Sequence, residues 1–298
     1  MPENKKNILI TGASGFIGGY VFRHLLKAGY NVVSFDICDN PKIRPELQII
    51  GSIMDKKTIQ NAVDKYDTVL HFAGFSNINK VKLNPLDCLN NNIIGTANIL
   101  EALKNKGEGS IVLASSIYAS SKKGHFYTTS KIAAESVCIN YYDLFSIPIS
   151  ILRLGTVYGE HSRHEDVVSL FTKAAINNAP IYLHGNGQQP RRFIHGQDVA
   201  VACEKIICRN NTGSKSYLIA PEKPITINEL IDIINNQIPT THQLKIIKQN
   251  SREDDYNGTL SSDFSNLTSE IEWSPSISIE LGVKNLLAHF SGNLKEKT

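Results

Sequence analysis

Thr11-Gly12-Ala13-Ser14-Gly15-Phe16-Ile17-Gly18 decides how this chain is read. It follows an apolar run, Ile8-Leu9-Ile10, that reads as a short buried strand over Asn7 to Thr11. It leads into a helix-period segment from Phe16 to Ala28, stopped by Gly29, a residue suited to a helix C-terminus. Glycines between a first strand and a first helix meet three needs: a tight turn, backbone approach to a pyrophosphate, and close helix–strand packing. The free N–H groups at the start of the helix then face the phosphates, with the positive end of the helix dipole behind them. A second strand, Asn31 to Asp36, ends on an acid. A carboxylate there can hold the ribose hydroxyls of an adenosine and repels a 2′-phosphate. The pattern favours NAD over NADP, although Lys42 and Arg44 lie near enough in sequence to keep NADP open.

Outward from this loop, strand-like runs alternate with helical ones. Asp67 to Phe72, Ser110 to Ala114 and Ile149 to Leu154 read as further strands, with helical patterns at 55–65, 85–104 and 127–145 between them. Such alternation predicts an α/β fold, a Rossmann doubly wound parallel sheet covered on both faces. After residue 155 the pattern changes. Helical segments at 167–178, 198–208 and 227–236 mix with short strands at 181–184, 216–219 and 244–247, and the loops lengthen. The expectation is an NAD-binding domain over 1–155, with returning segments from the second half, and a smaller α/β substrate lobe over 156–298.

Composition narrows the function classes. The chain has 298 residues, 41% hydrophobic and 20% charged, enough for a real core and ordinary for a globular protein. Its formal charge of +3 is too mild and too dispersed for a nucleic-acid binder. No stretch approaches the ~20 apolar residues that span a bilayer, and the start lacks a signal peptide's apolar core. A cytoplasmic protein without membrane or nucleic-acid partners is expected. The five cysteines, Cys38, Cys88, Cys138, Cys203 and Cys208, include no C-x-x-C pair and read as reduced core thiols.

Tyr127-Thr128-Thr129-Ser130-Lys131 places a tyrosine and a lysine four apart, on one face of a helix. A phenol with pKa near ~10 is a poor base at neutral pH. A nearby ammonium and the positive nicotinamide ring of NAD stabilise the phenolate, so the tyrosine can take a proton from an alcohol or return one to a ketone. Upstream, Ala114-Ser115-Ser116 ends a strand. A hydroxyl there can steady charge developing on the reacting oxygen. Either Ser115 or Ser116 could supply it.

The G-x-x-G-x-x-G spacing and this Y-x-x-x-K pair resemble the extended short-chain dehydrogenase/reductase family, the NAD-dependent epimerases and dehydratases. Further landmarks follow in order. They are His71-Phe72-Ala73-Gly74, Asn92-Ile93-Ile94-Gly95-Thr96 with Asn98, and Arg153-Leu154-Gly155-Thr156-Val157-Tyr158-Gly159. Then come the segment from Gly185 to His195 with Asp198-Val199-Ala200, Arg252-Glu253-Asp254-Asp255, and Trp273-Ser274-Pro275. The resemblance therefore runs over nearly the whole chain. It implies a catalytic set of Tyr127, Lys131 and Ser116. Read without gaps it selects Ser116, but the family's usual Tyr-Gly downstream is replaced by Ser120-Ser121, and a one-residue deletion would align Tyr118 with that Tyr and bring Ser115 into competition. It implies an NAD site built from Gly12, Ser14, Gly15, Phe16, Ile17, Gly18, Asp36, Ser52, Ile53, Phe72, Ala73, Gly74, Asn92 and Lys131. Ser52 stands where the family's Asp holds the adenine amino group, and a serine oxygen could still accept that bond.

The resemblance also implies a nucleotide-diphosphate sugar as substrate, contacted by Ser116, Tyr127, Thr156, Arg191 and Arg252. The two guanidiniums would meet the diphosphate, as their forked geometry suits. Arg192 takes a usually acidic position and is assigned no role. Ile117-Tyr118 occupy the place of the Asp-Glu pair of the family's 4,6-dehydratases, which disfavours dehydration, and a decarboxylase needing a Glu there is disfavoured too. From Ser116 to Tyr127 is only 11 positions. That short loop resembles reductases of 4-keto-6-deoxy sugar nucleotides, and the expected activity is an NAD(H)-dependent 4-ketoreductase in surface-polysaccharide precursor synthesis. The alternatives are a sugar-nucleotide 4-epimerase with tightly bound NAD and, in another class, a non-catalytic dinucleotide-binding regulator. A homodimer through the helical segments 85–104 and 127–145 is implied. No metal is expected, and His161-Ser162-Arg163-His164-Glu165-Asp166 reads as a solvated or substrate-side loop.

Overall fold

The computed structural model describes residues 6–76, 81–120, 125–162, 166–209, 212–250 and 272–295. Seven strands form the main sheet. They are β1 (Asn7–Thr11), β2 (Asn31–Asp36), β3 (Gln48–Ile50), β4 (Thr68–His71), β5 (Ser110–Ser116), β6 (Ile149–Leu154) and β11 (Ser214–Ile219). They join in the order β11-β6-β5-β4-β1-β2-β3. Every neighbouring pair runs parallel. The strands are apolar along their length because both faces are covered: Ile8, Leu9, Ile10, Val69, Leu70, Ile149 and Ile151 are all buried. The order reverses between β1 and β4. In an open parallel sheet that reversal leaves a crevice beyond the strand ends, where ligands bind. Thr11 and His71, partners in register, end the two strands that flank it.

The helices of this sheet keep sequence logic at their ends. Helix α1 (Phe16–Lys27) closes through Gly29, whose φ of 81° is open to glycine at little steric cost. Helix α2 (Lys56–Val63) is capped by Asp55, which accepts the N–H groups of Lys57 and Thr58. The segment expected as one helix over 85–104 is interrupted. It comprises α3 (Pro85–Leu89), a wide π turn (Asn90–Ile94) and α4 (Gly95–Lys106). Helix α5 (Phe126–Phe145) carries the Tyr127–Lys131 pair and ends on left-handed Ser146, φ 56°.

The chain divides into two units. The first takes Met1–Leu154, Val199–Ile219 and Leu260–Trp273. The second takes Gly155–Asp198, Ala220–Thr259 and Ser274–Thr298. The run at 216–219 is thus the outer part of the seventh strand of the main sheet, preceded by helix α7 (Gly196–Cys208). Within the second unit, helices α6 (Val167–Ile176), α8 (Ile227–Asn235) and α9 (Ile279–Lys295) enclose a core of Val168, Phe171, Leu230, Ile234, Val283 and Leu286. Short strand pairs complete it: β7 (Thr156–Tyr158) with β10 (Phe193–His195), β9 (Pro190–Arg191) with β12 (Ile225–Thr226), and β8 (Pro180–His184) with β13 (Lys245–Gln249). Asp198 fastens the C-terminal segment, accepting the N–H and hydroxyl of Ser276 at 3.0 and 2.7 Å and the N–H of Ile277 at 3.1 Å.

The cysteines depart from a uniform core placement. All five are free, with Cys88, Cys138 and Cys203 buried. Cys38, just beyond β2, and Cys208, at the end of α7, are exposed because both sit where an element gives way to a turn. Among the described residues no helix is long and apolar enough to cross a membrane.

Candidate active site

The glycine loop makes a tight cradle. Gly12 has φ 75°, and a Cβ there would lie 2.5 Å from the Ala73 nitrogen, so the turn packs directly on the chain leaving β4. A Cβ on Gly18 would lie 2.3 Å from the Gly12 carbonyl oxygen. Gly15 at the apex is exposed, and α1 begins there with no side-chain cap. Phe16 and Ile17, half-buried, form its first turn, so the N–H groups at this helix start are not taken by a capping side chain. Asp36 accepts the Ser14 N–H at 3.0 Å and the Cys38 N–H at 3.2 Å, fixing its carboxylate beside the loop. A loop that only glycine can form, an uncapped helix start and an adjacent held carboxylate fit a dinucleotide's pyrophosphate and ribose.

The remaining residues expected at the cofactor lie nearby in the first unit. Phe72 and Ala73 are half-buried beyond β4, and Gly74 is exposed with φ 155°. Ser52 uses its hydroxyl to accept the Met54 N–H at 3.1 Å. Ile53 is buried, and its carbonyl accepts the Asn98 amide at 2.9 Å. Asn92 directs its amide inward. It accepts the Phe75 N–H at 2.7 Å and donates to the Phe75 carbonyl at 3.0 Å and to Ser130 at 2.8 Å. Asn92 thereby joins the chain after β4 to helix α5.

Helix α5 meets the end of β5 at three places. The Ser116 hydroxyl lies close to the Tyr127 phenol and acts to lower its pKa. The Lys131 ammonium donates to the Ala114 carbonyl at 2.8 Å. Ser115 donates to the Glu135 carboxylate. Ala114, Ser115 and Ser116 thus meet Lys131, Glu135 and Tyr127, three residues spaced four apart on α5 but not taken in strand order. Burial pushes the Tyr127 phenol up to about 12, against the lowering effect of the nearby Ser116 hydroxyl. Burial brings Lys131 down to about 8, while Cys88 and Glu135 act to raise it. Its Nζ lies 5.9 Å from the Tyr127 ring centroid. At neutral pH the arrangement therefore holds a protonated phenol beside a predominantly charged lysine.

Behind these groups lies a buried polar chain. Thr96 donates to the Asn92 carbonyl at 2.7 Å, so it must accept from His71 Nε2, 3.1 Å away. His71 Nδ1 then accepts from the Thr11 hydroxyl at 2.7 Å. Burial, with the Lys131 charge nearby, lowers the His71 ring to about 3 and keeps it neutral. Thr11, His71 and Thr96 belong to the motifs read from sequence, but their mutual contacts had no signal there. Glu135, eight positions after Tyr127, was legible only as the next residue on the same helix face.

In the second unit, Thr156 lies on β7 and donates its N–H to the Arg192 carbonyl at 2.8 Å. Arg191 is half-buried on β9, and its Nη1 reaches the Pro190 carbonyl at 2.9 Å. Arg192 donates to the carbonyl oxygens of Pro221, at 2.6 Å, and Glu222. Arg252 lies outside the described residues, as do Arg163, His164 and Glu165. Among the described residues no group of three or more His, Cys, Asp or Glu is placed to hold a metal ion.

Residues 8–220 match the model of the NAD dependent epimerase/dehydratase family. The chain is 28% identical to a UDP-glucuronate 4-epimerase of Thermodesulfobacterium geofontis, over 96% of this chain and 97% of that one. It is also 28% identical to a UDP-N-acetyl-alpha-D-glucosaminuronate decarboxylase of Bacillus cytotoxicus, over 66% of this chain and 70% of that one. Among solved structures, MoeE5 in complex with UDP-glucuronic acid and NAD superposes with a TM-score of 0.87 at 23% identity, covering 96% of this chain and 99% of that one. The UDP-glucose 4-epimerase of Thermus thermophilus, in complex with NAD, superposes with a TM-score of 0.84 at 22% identity, with 96% and 99% covered. These likenesses in fold accompany a family match over most of the chain. The protein belongs to the NAD-dependent epimerase/dehydratase family of enzymes, with NAD as its cofactor.

Proposed function

We propose that this enzyme reduces the C4 ketone of a 4-keto-6-deoxy sugar nucleotide, with Tyr127 as proton donor. The observation that carries this reading is the Tyr127–Ser116–Lys131 constellation with its phenol protonated, the state from which a ketone oxygen receives its proton. Bound NAD supplies reversible two-electron redox chemistry at the sugar carbon. Gly12 to Gly18 would hold its pyrophosphate and Asp36 its adenosine ribose, with Lys131 on the nicotinamide ribose. Tyr127 would donate its proton to the C4 oxygen, and the Lys131 ammonium would stabilise the phenolate left behind. Ser116 would donate a hydrogen bond to the same oxygen as negative charge develops on it. Arg191, with Arg252, would meet the diphosphate.

Dehydration is not favoured. Ile117, next to Ser116, is buried at 2% exposure, and Tyr118 follows it, so no carboxylate stands there to shuttle protons.

The second reading is a 4-epimerase, in which Tyr127 alternately removes and returns the same proton. It is favoured by the full-length likeness to a UDP-glucuronate 4-epimerase. Chain length does not separate the readings, because 4-epimerase structures are covered over 99% of their own length. Incubation with NADH and a panel of uridine- and thymidine-diphosphate sugars does separate them. A reductase consumes one NADH per product. Product formed without NADH loss supports the epimerase and overturns the reductase. NAD binding with no turnover of any sugar would support a regulator.

A further inference from the structure

Glu135 is 4% exposed and takes no part in the chemistry above. Its carboxylate is held from two strands at once. Arg153 on β6 donates through Nε at 3.0 and 3.1 Å and through Nη2 at 2.6 Å. Ser115 on β5 donates from the neighbouring strand. Ser115 and Arg153 are register partners, so both side chains rise from the same face of the sheet. Glu135 sits over both and closes them onto α5. The same helix places Lys131 one turn earlier and Tyr127 two turns earlier, where they meet Ala114 and Ser116. A slip of α5 along β5 would break the Lys131–Ala114 and Glu135–Ser115 bonds together.

We propose that Glu135 is a positioning residue for the reaction: with Ser115 and Arg153 it fixes the register of α5 on β5 and sets a carboxylate one helical turn from Lys131, on the helix that carries Tyr127. This rests on the reading of Tyr127 and Lys131 as the reacting pair. The groups facing Lys131 are few. His71 approaches from β4 and is held neutral. Cys88 approaches from α3. Tyr127 and Glu135 lie on its own helix. Burial drives Lys131 toward losing its proton, and Cys88 and then Glu135 oppose that loss. A buried carboxylate paired with one guanidinium is an expensive way to fasten a helix. Its placement one turn from a buried lysine gives that charge a use beyond fastening.

The test is the titration of Lys131, followed by NMR of protein carrying 13Cε-labelled lysine and assigned with Lys131→Arg. Glu135→Gln removes the carboxylate charge and leaves Arg153 as an added positive charge. Lys131 should then lose its proton at a pH lower by about one unit, and the alkaline limb of the kcat profile should fall with it. Ser115→Ala breaks a hydrogen bond but keeps the charge, so Lys131 should titrate as in the wild type. If Glu135→Gln does not fold, the double variant Glu135→Gln/Arg153→Met removes both charges and should show the same downward direction. A folded variant lacking the carboxylate in which Lys131 titrates as in the wild type overturns the proposal. The titration needs no substrate. A fall in Lys131 titration in a protein whose wild type turns over no sugar nucleotide would overturn the functional reading while supporting the clamp.

Discussion

The Ser116 hydroxyl lies close to the Tyr127 phenol and acts to lower its pKa, whereas the hydroxyl of Ser115 beside it donates to Glu135. Adjacent residues on a strand point to opposite faces, so one position separates the hydroxyl proposed to meet the reacting oxygen from the one bound to the Glu135–Arg153 pair. Ser116→Ala should lower kcat by about 100-fold, with NAD affinity little changed. Ser115→Ala should affect kcat far less and reduce stability by about 1 kcal/mol. Steady-state kinetics and chemical denaturation of the two variants check this. Equal kinetic defects would contradict it.

His71 makes the fold acid-sensitive. Its ring stays neutral in the folded chain down to a pH of about 3, against an ordinary value of 6.5. Between those limits the unfolded chain binds a proton that the folded chain does not. Stability contributed by His71 is therefore full above about 6.5 and is lost progressively as pH falls toward about 3. Urea denaturation from pH 7 to pH 4 should show a slope, and His71→Asn should be flatter by about one proton across that window. An unchanged slope would contradict this account.

Gly95 owes its place to packing. A Cβ there would lie 2.4 Å from Ile53 Cδ1, in a stretch where Ile53 also receives the Asn98 amide. Gly95→Ala should destabilise the protein by about 1–3 kcal/mol. Adding Ile53→Val, which removes the crowded methyl, should recover part of that loss. A double-mutant cycle on melting curves measures the coupling. Additive losses would show that the two residues do not interact.

Much of this site was legible because its parts are local in sequence. The glycine loop, the acid ending β2 and the Tyr127–Lys131 pair each depend on spacings of a few residues, and their elements followed the expected order. What sequence left open depends on contacts between distant segments. The main-sheet pairing of β11 with β6 joins Ser214–Ile219 to Ile149–Leu154, and no local pattern marks a returning strand. The interruption of the 85–104 helix at Asn90–Ile94 accompanies the commitment of the Asn92 amide to Phe75 and Ser130. Which of Ser115 and Ser116 lies beside Tyr127 depends on how β5 and α5 pack together, which no local pattern marks. The ion pair of Glu135 with Arg153 spans two elements and announces itself in neither.

The most direct test follows NADH against product with 4-keto-6-deoxy sugar nucleotides, for wild type and Tyr127→Phe in parallel. The wild type should consume one NADH for each product formed. Tyr127→Phe should still bind NADH, while its turnover falls by at least about 100-fold. Turnover by Tyr127→Phe at the wild-type rate, or product formed by the wild type without loss of NADH, would contradict the account.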